Sequence, residues 1–268
     1  MVKKIIIVFL FNSLIFSACS SSSPPATVQV NAVNSTDFYF WSTGSESGEL
    51  IFHGVSPVYS NIDDSIKEAL EDAARRVAFF KQIEGTIESV TIRGSGFLGG
   101  LSETNTSLSY NQDYKQYVEA LTFNPEIDVR RYENTIFVRT RYRASLPVQV
   151  NYNLLPSYHS SSKPAWVDNP PVISEYIVGI GHAGRQSVHR KTIVDSYESA
   201  VFSIINELYS SIDGSSTNYQ GRGVFDYANN HDHEIKASGV LHNFYILDTW
   251  FDSERRAVWT LAIALRPR

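Results

Sequence analysis

The sequence predicts an α+β fold made of two tandem homologous domains, each one long helix packed on an antiparallel sheet in strand, helix, strands order. Three observations carry that prediction. Trp41 precedes Gly54 by 13 residues and Trp166 precedes Gly179 by 13 residues, each glycine lying in an apolar run. Each run then gives way to a long amphipathic segment, and each half closes on alternating strands separated by turn residues.

In the first half, Leu50 to Ser56 reads as a strand. Ile62, Ile66, Ala69, Leu70, Ala73, Val77 and Phe80 then recur at spacings of three and four, which aligns them on one face of a helix. Asn61 and Asp64 suit its N-terminal cap, Asp63 and Asp64 suit its dipole, and Gly85 is expected to stop it. Strands are expected at Tyr117 to Phe123, Ile127 to Tyr132 and Thr135 to Ala144, with Glu133-Asn134 turning between the last two.

The second half repeats the order. Tyr176 to Gly181 is the strand, and Val194, Tyr197, Val201, Ile204, Ile205, Leu208 and Ile212 mark a helix ended by Gly214. Ile235 to Leu241, Tyr245 to Phe251 and Ala257 to Leu265 are the closing strands, with Asp252-Ser253-Glu254 as the last turn. Residues 147–171 hold five prolines and Ser160-Ser161-Ser162, and read as a linker. The boundaries are therefore 38–146 for the first unit and 172–268 for the second.

The two final strands differ. Ile136, Val138, Thr140 and Tyr142 alternate with Phe137, Arg139, Arg141 and Arg143, so one face should be buried and the other basic. The second copy has Val258, Trp259, Leu261, Ala262, Ile263 and Leu265, apolar on both sides. Its outer face should be covered, by the first domain for instance.

The N-terminus predicts export. Lys3 and Lys4 precede an apolar core beginning at Ile5 to Leu10, and small residues stand at Ser17 and Ala18. That run is interrupted by Asn12 and Ser13 and falls short of the roughly 20 helical residues that cross a bilayer. Phe16-Ser17-Ala18-Cys19 resembles a lipobox, with Phe16 in place of the usual leucine. Residues 1–18 are then a signal peptide, and Cys19, the chain's single cysteine, is the lipidation site. Residues 19–37, opening with four serines and two prolines, read as a flexible tether. Acyl chains contribute about 0.8 kcal/mol per buried methylene, so the anchor needs no spanning segment.

Cleavage removes two of 23 basic residues and no acids, leaving 21 against 28 and a net charge of −7. That balance disfavours nucleic acid as a partner. The sequons at Asn34 and Asn105 are read as chance in a bacterial chain.

Pro164-Ala165-Trp166, Tyr176 to Gly181, the long helix and the closing Trp259-Thr260-Leu261-Ala262 together resemble the LPP-twenty lipoprotein family and the related N-terminal domain of flagellar assembly protein T. The resemblance covers about residues 163–268, with a weaker copy at about 38–146. Its alanine-rich helix is matched better by Ala69, Ala73 and Ala74 than by the second helix. The resemblance implies a non-catalytic, outer-membrane-associated lipoprotein with a binding or envelope-assembly role, and it supplies no catalytic residues.

Arg139, Arg141 and Arg143 share a strand face near Arg130 and Arg131, a set that suits an anion such as a phosphorylated lipid or a cell-wall carboxylate. A solvated sheet face or a seam to the other domain is the favoured reading of these arginines. His231, Asp232, His233 and Glu234, with His242, hint at metal ligation, but the spacing fits no zinc motif. Gly94 to Gly100 lacks the ending of a phosphate loop and reads as a plain mobile loop, the alternative being that Phe97 and Leu98 dip into a membrane or partner. Neither a Gly-x-Ser-x-Gly nor a His-Glu-x-x-His motif occurs. The four tryptophans read as core and strand-pair anchors.

The expected function is a lipid-anchored envelope binding or scaffolding lipoprotein without catalysis, metal or cofactor. Its partners are the membrane, through the anchor, and an envelope protein or the cell wall. The absence of Asp after Cys19 favours the outer membrane. The alternatives are a metal-dependent envelope enzyme using the His231–His242 region, and a flagellum-associated component.

Overall fold

The structure is a computed structural model that describes residues 30–32, 38–41, 43–46, 48–92, 101–148, 150, 163–213, 232–252 and 254–267. The signal peptide, Cys19, nearly all of the tether, the 94–100 loop, Gly214 and His231 lie outside the described residues. The architecture is mixed α+β, with several antiparallel sheets and few helices. No helix among the described residues is long and apolar enough to cross a membrane.

The first sheet has the order β1-β6-β7-β3-β2, with strands Asn31–Ala32, Val129–Tyr132, Thr135–Tyr142, Glu49–Pro57 and Ser45–Glu46. All its pairs are antiparallel except β1 with β6. The first helix, α1 (Phe38–Trp41), precedes β2. The main helix, α2 (Ile62–Lys81), starts as the capping pattern requires: Asn61 Oδ1 accepts the Asp63 amide at 3.2 Å and Asn61 Nδ2 donates to Asp64 Oδ2 at 3.1 Å. Ile66, Ala69, Ala73, Val77 and Phe80 form its buried face.

Gly85 does not stop α2. The helix ends at Lys81, Gln82 turns extended, and the chain runs directly into β4 (Ile83–Ile92), inside which Gly85 lies. A Cβ on Gly85 would stand 2.2 Å from Ile205 Cδ1, so the glycine admits a neighbouring helix. Strands β4 and β5 (Leu101–Tyr110) have no counterpart in the sequence-based expectation. Tyr117 to Phe123 is not a strand either: Tyr114–Ala120 is a 3-10 helix, followed by one bridge from Thr122 to Arg141. Tyr114, Tyr117, Val118 and Leu121 pack on the main hydrophobic cluster from intervals of three and four, which is helical spacing. One turn, α3 (Pro125–Asp128), then leads into β6.

The second half forms β8 (Tyr176–Ala183), α4 (His189–Asp213), β9 (Asp232–Leu241), β10 (Tyr245–Asp252) and β11 (Ala257–Leu265). Its sheet has the order β10-β11-β8, which repeats β6-β7-β3 in strand sequence and in antiparallel sense. A third sheet, β5-β4-β9, joins the halves: ten consecutive residues of β4 pair with β9, from Ile83↔Leu241 to Ile92↔Asp232.

Each main helix crosses its first strand at a glycine. A Cβ on Gly54 would lie 1.8 Å from the Ala69 carbonyl oxygen, and one on Gly181 would lie 1.9 Å from that of Ser196. Opposite them stand Val138 and Thr260. The residue matching Gly54 in this crossing is thus Gly181, two positions beyond the Gly179 paired with it by the tryptophan spacing.

The hydrophobic clusters also mix the halves. Leu261 and Ile263, on the side of β11 away from α4, share one cluster with Leu50, Phe52, Ala73, Val77 and Phe80, together with Trp166 and Val150. Phe137 and Val55 cluster with Ile193, Tyr197 and Val258.

Candidate functional site

The basic face expected on β7 is not solvated. All residues from Thr135 to Thr140 are buried, Arg139 completely. Asp128, also fully buried, lies 3.8 Å from Arg139 Nη1 and 2.9 Å from Arg141 Nη1. The Asn124 amide donates to the same carboxylate at 2.8 Å. The one carboxylate thus offsets part of the charge of the two guanidiniums inside the protein.

The five predicted arginines do not converge. Arg130 and Arg131 pair with consecutive residues of β7, Phe137 and Ile136, so their side chains leave opposite faces of the sheet. Arg130 donates to the carbonyls of Glu126 and Val129, and Arg131 to that of Glu133. Arg143 is exposed just past the end of β7. His242 is exposed near the Lys81 carbonyl, 3.2 Å from its Nδ1, and no group of three metal-ligating side chains occurs among the described residues. Trp41 and Trp166 are buried, and Trp250 pairs with Trp259 across β10 and β11.

One of the five, Arg131, lines an open cleft of about 660 Å³ where four connections meet. These are the β3–α2 link, the β6–β7 hairpin, the β8–α4 link and the β10–β11 turn. Arg185 and Arg256 enter from the last two. Both are exposed, and neither makes an ion pair among the described residues. Glu133 and Arg256 take positive φ, 50° and 51°, which closes the two hairpins tightly at the cleft.

The cleft wall is aromatic. His189 at the start of α4 lies 5.6 Å from Tyr132 and 5.7 Å from Phe251, ring to ring, and those two rings are 5.1 Å apart. Its Nδ1 is 3.4 Å from Thr135 Oγ1. Burial lowers the His189 pKa, against the opposing pull of Glu133, so the ring is held towards its neutral form.

The first turn of α4 contains no acid and begins His189-Arg190-Lys191. Cations at the positive end of a helix dipole are unfavourable. Arg190 and Lys191 are partly compensated by Glu68 at 3.4 Å and Asp195 at 2.7 Å, both outside the cleft lining. Glu133 and Asp252 lie at the cleft, but Asp252 Oδ1 is engaged by the Arg255 amide. The balance is locally cationic in an acidic chain, and guanidinium groups beside flat rings suit a planar oxyanion.

Sequence reasoning missed Arg185 and Arg256, which are isolated charges beside turns and carry no pattern. Compared with family models, curated proteins and solved structures, the chain matches none of them.

Proposed function

We propose that this chain is an outer-membrane lipoprotein, anchored through Cys19, that acts without catalysis as a binding or scaffolding component of the cell envelope. In this reading it is built from two copies of one α+β unit of the LPP-twenty type, and the cleft between their turns docks carboxylates of the cell wall. The repeated strand order and the matching helix crossings at Gly54 and Gly181 support the two-copy reading.

The observation that carries the function is the cleft. Two arginines that make no ion pair among the described residues, Arg185 and Arg256, face a common space with Arg131 in a chain whose mature charge is −7. The stretch from Cys19 to the start of β1 at Asn31 reaches at most about 40 Å at roughly 3.3–3.6 Å per residue, which carries the body from its membrane towards the wall.

The test is cosedimentation of the purified protein with isolated cell-wall sacculi and, separately, with vesicles containing anionic lipid. Binding to sacculi should weaken at least tenfold in an Arg185→Gln/Arg256→Gln variant and fall with salt. Binding to vesicles alone, or equal retention of the variant on sacculi, would overturn the cleft assignment. Loss of palmitate labelling and of membrane fractionation in Cys19→Ser is the expected result for the anchor.

A further inference from the structure

A second site lies inside the protein, apart from the cleft. Arg76 on α2 is 4 % exposed and lines a cavity of about 30 Å³ between the halves, bounded by Phe52 and His53 of β3, Tyr197 of α4, and Tyr245 and Thr249 of β10. Its Nη2 donates to both Asp72 oxygens at 3.2 Å. Its guanidinium carbon lies 4.5 Å from the centroid of the Tyr197 ring. The remaining donors, Nε and Nη1, are buried without a hydrogen-bond partner among the described residues.

Three facts define what would fit. The two donors carry no acceptor capacity, so an occupant must present lone pairs. Asp72 is shared between Arg76 and Arg75, the latter at 2.9 Å, so the three side chains carry one excess positive charge. Glu198 on α4 makes no ion pair with Arg76 and acts on it only through space. Size sets the last limit. One water needs about 10–15 Å³ of such space, so the cavity accommodates the equivalent of two or three water-sized atoms. His53 adds no competing charge: burial lowers its pKa to about 4, and its Nε2 donates to the Phe40 carbonyl at 2.6 Å.

We propose that Arg76 and this cavity form a buried binding site for a small monovalent anion of the size of chloride or formate. The occupant accepts from Nε and Nη1 and offsets the excess charge of the Asp72–Arg75–Arg76 group. Asp72 Oδ2 also accepts the Val55 amide at 3.1 Å, so the bound anion would help hold α2, β3 and α4 together.

The experiment uses purified full chain at constant ionic strength, with chloride compared against gluconate, which is too large for the cavity. Thermal unfolding should occur several degrees higher in chloride, and chloride-35 resonance should show excess line broadening that formate displaces. Arg76→Lys, which keeps the charge and loses the forked donors, should lose both effects. Arg185→Gln/Arg256→Gln should retain them, which separates this site from the cleft. Equal unfolding temperatures in the two salts, broadening that persists in Arg76→Lys, or its loss in the cleft variant would each overturn the proposal. Should Arg76→Lys fail to fold, the chloride–gluconate comparison on the unaltered chain and the cleft variant decides the matter.

Discussion

Strands β7 and β11 occupy the same place in sheets of the same order, and they fill their second face with opposite chemistry. Matching Val138 to Thr260 through the glycines they oppose places Arg139 against Leu261 and Arg141 against Ile263. Arg139, Leu261 and Ile263 are each fully buried. At β11 apolar side chains fill the space. At β7 guanidinium groups fill it, with Asp128 supplied by the one-turn helix that precedes β6. The difference teaches that the fold demands volume at these positions, and that a charge satisfies the demand only where the chain also delivers its counterion.

The largest effect should come from removing that counterion. Asp128→Ala removes the buried carboxylate 3.8 Å from Arg139 and 2.9 Å from Arg141 and should cost about 3–5 kcal/mol by urea unfolding. Arg139→Leu, which converts β7 towards the chemistry of β11 while Asp128 keeps Arg141, should cost less. If the two variants lose equally, the counterion is not what makes β7 tolerable.

Next come the crossings. Gly54→Ala and Gly181→Ala each drive a Cβ into a helix carbonyl, at 1.8 and 1.9 Å, so both should lose about 3 kcal/mol. Similar losses would support an equivalence between the two crossings. A tolerant Gly181 would break it.

The smallest expected effect concerns a third buried acid. Asp248 has hydrogen bonds from Trp166 Nε1 at 2.7 Å and the Thr249 amide at 2.6 Å, and no ion pair among the described residues. Burial, only partly offset by those donors, raises its pKa from 3.8 to about 7. The folded state therefore holds a proton that the unfolded state has released, so this group's contribution to stability declines as pH rises from about 4 through 7. Trp166→Phe withdraws a donor from the charged form. It should cost about 2 kcal/mol at pH 8 and measurably less at pH 5. An equal cost at both values would mean that the carboxyl stays in one state.

Much of the local structure was legible. Asn61 starts α2, the continuous apolar run of Ala257 to Leu265 gives β11, and the 3.6-residue period gives both long helices, because each is a property of residues near one another in the chain. Strand β5 was invisible because its serines, threonines and asparagine carry no apolar alternation. The 3-10 helix was misread although the spacing of Tyr114, Tyr117, Val118 and Leu121 was available. Gly179 was taken for the partner of Gly54 because a shift of two residues keeps every side chain on the same face, so the alternating pattern cannot detect it.

The site was harder to read. Arg139 and Arg141 look like a basic face until Asp128, itself no part of that alternation, is found beneath them. Arg76 did carry a signal, since a charge on the apolar stripe of α2 four residues after Asp72 calls for a buried partner.

The sequence by itself determined the two long helices and most strands, which are written in short-range periodicity and composition. Only the tertiary structure decided that β4 pairs with β9, that Arg139 is buried, and that Arg131, Arg185 and Arg256 share a cleft. Those outcomes depend on which surfaces of distant segments meet, and burial energy depends on the area removed from water, whatever the separation along the chain.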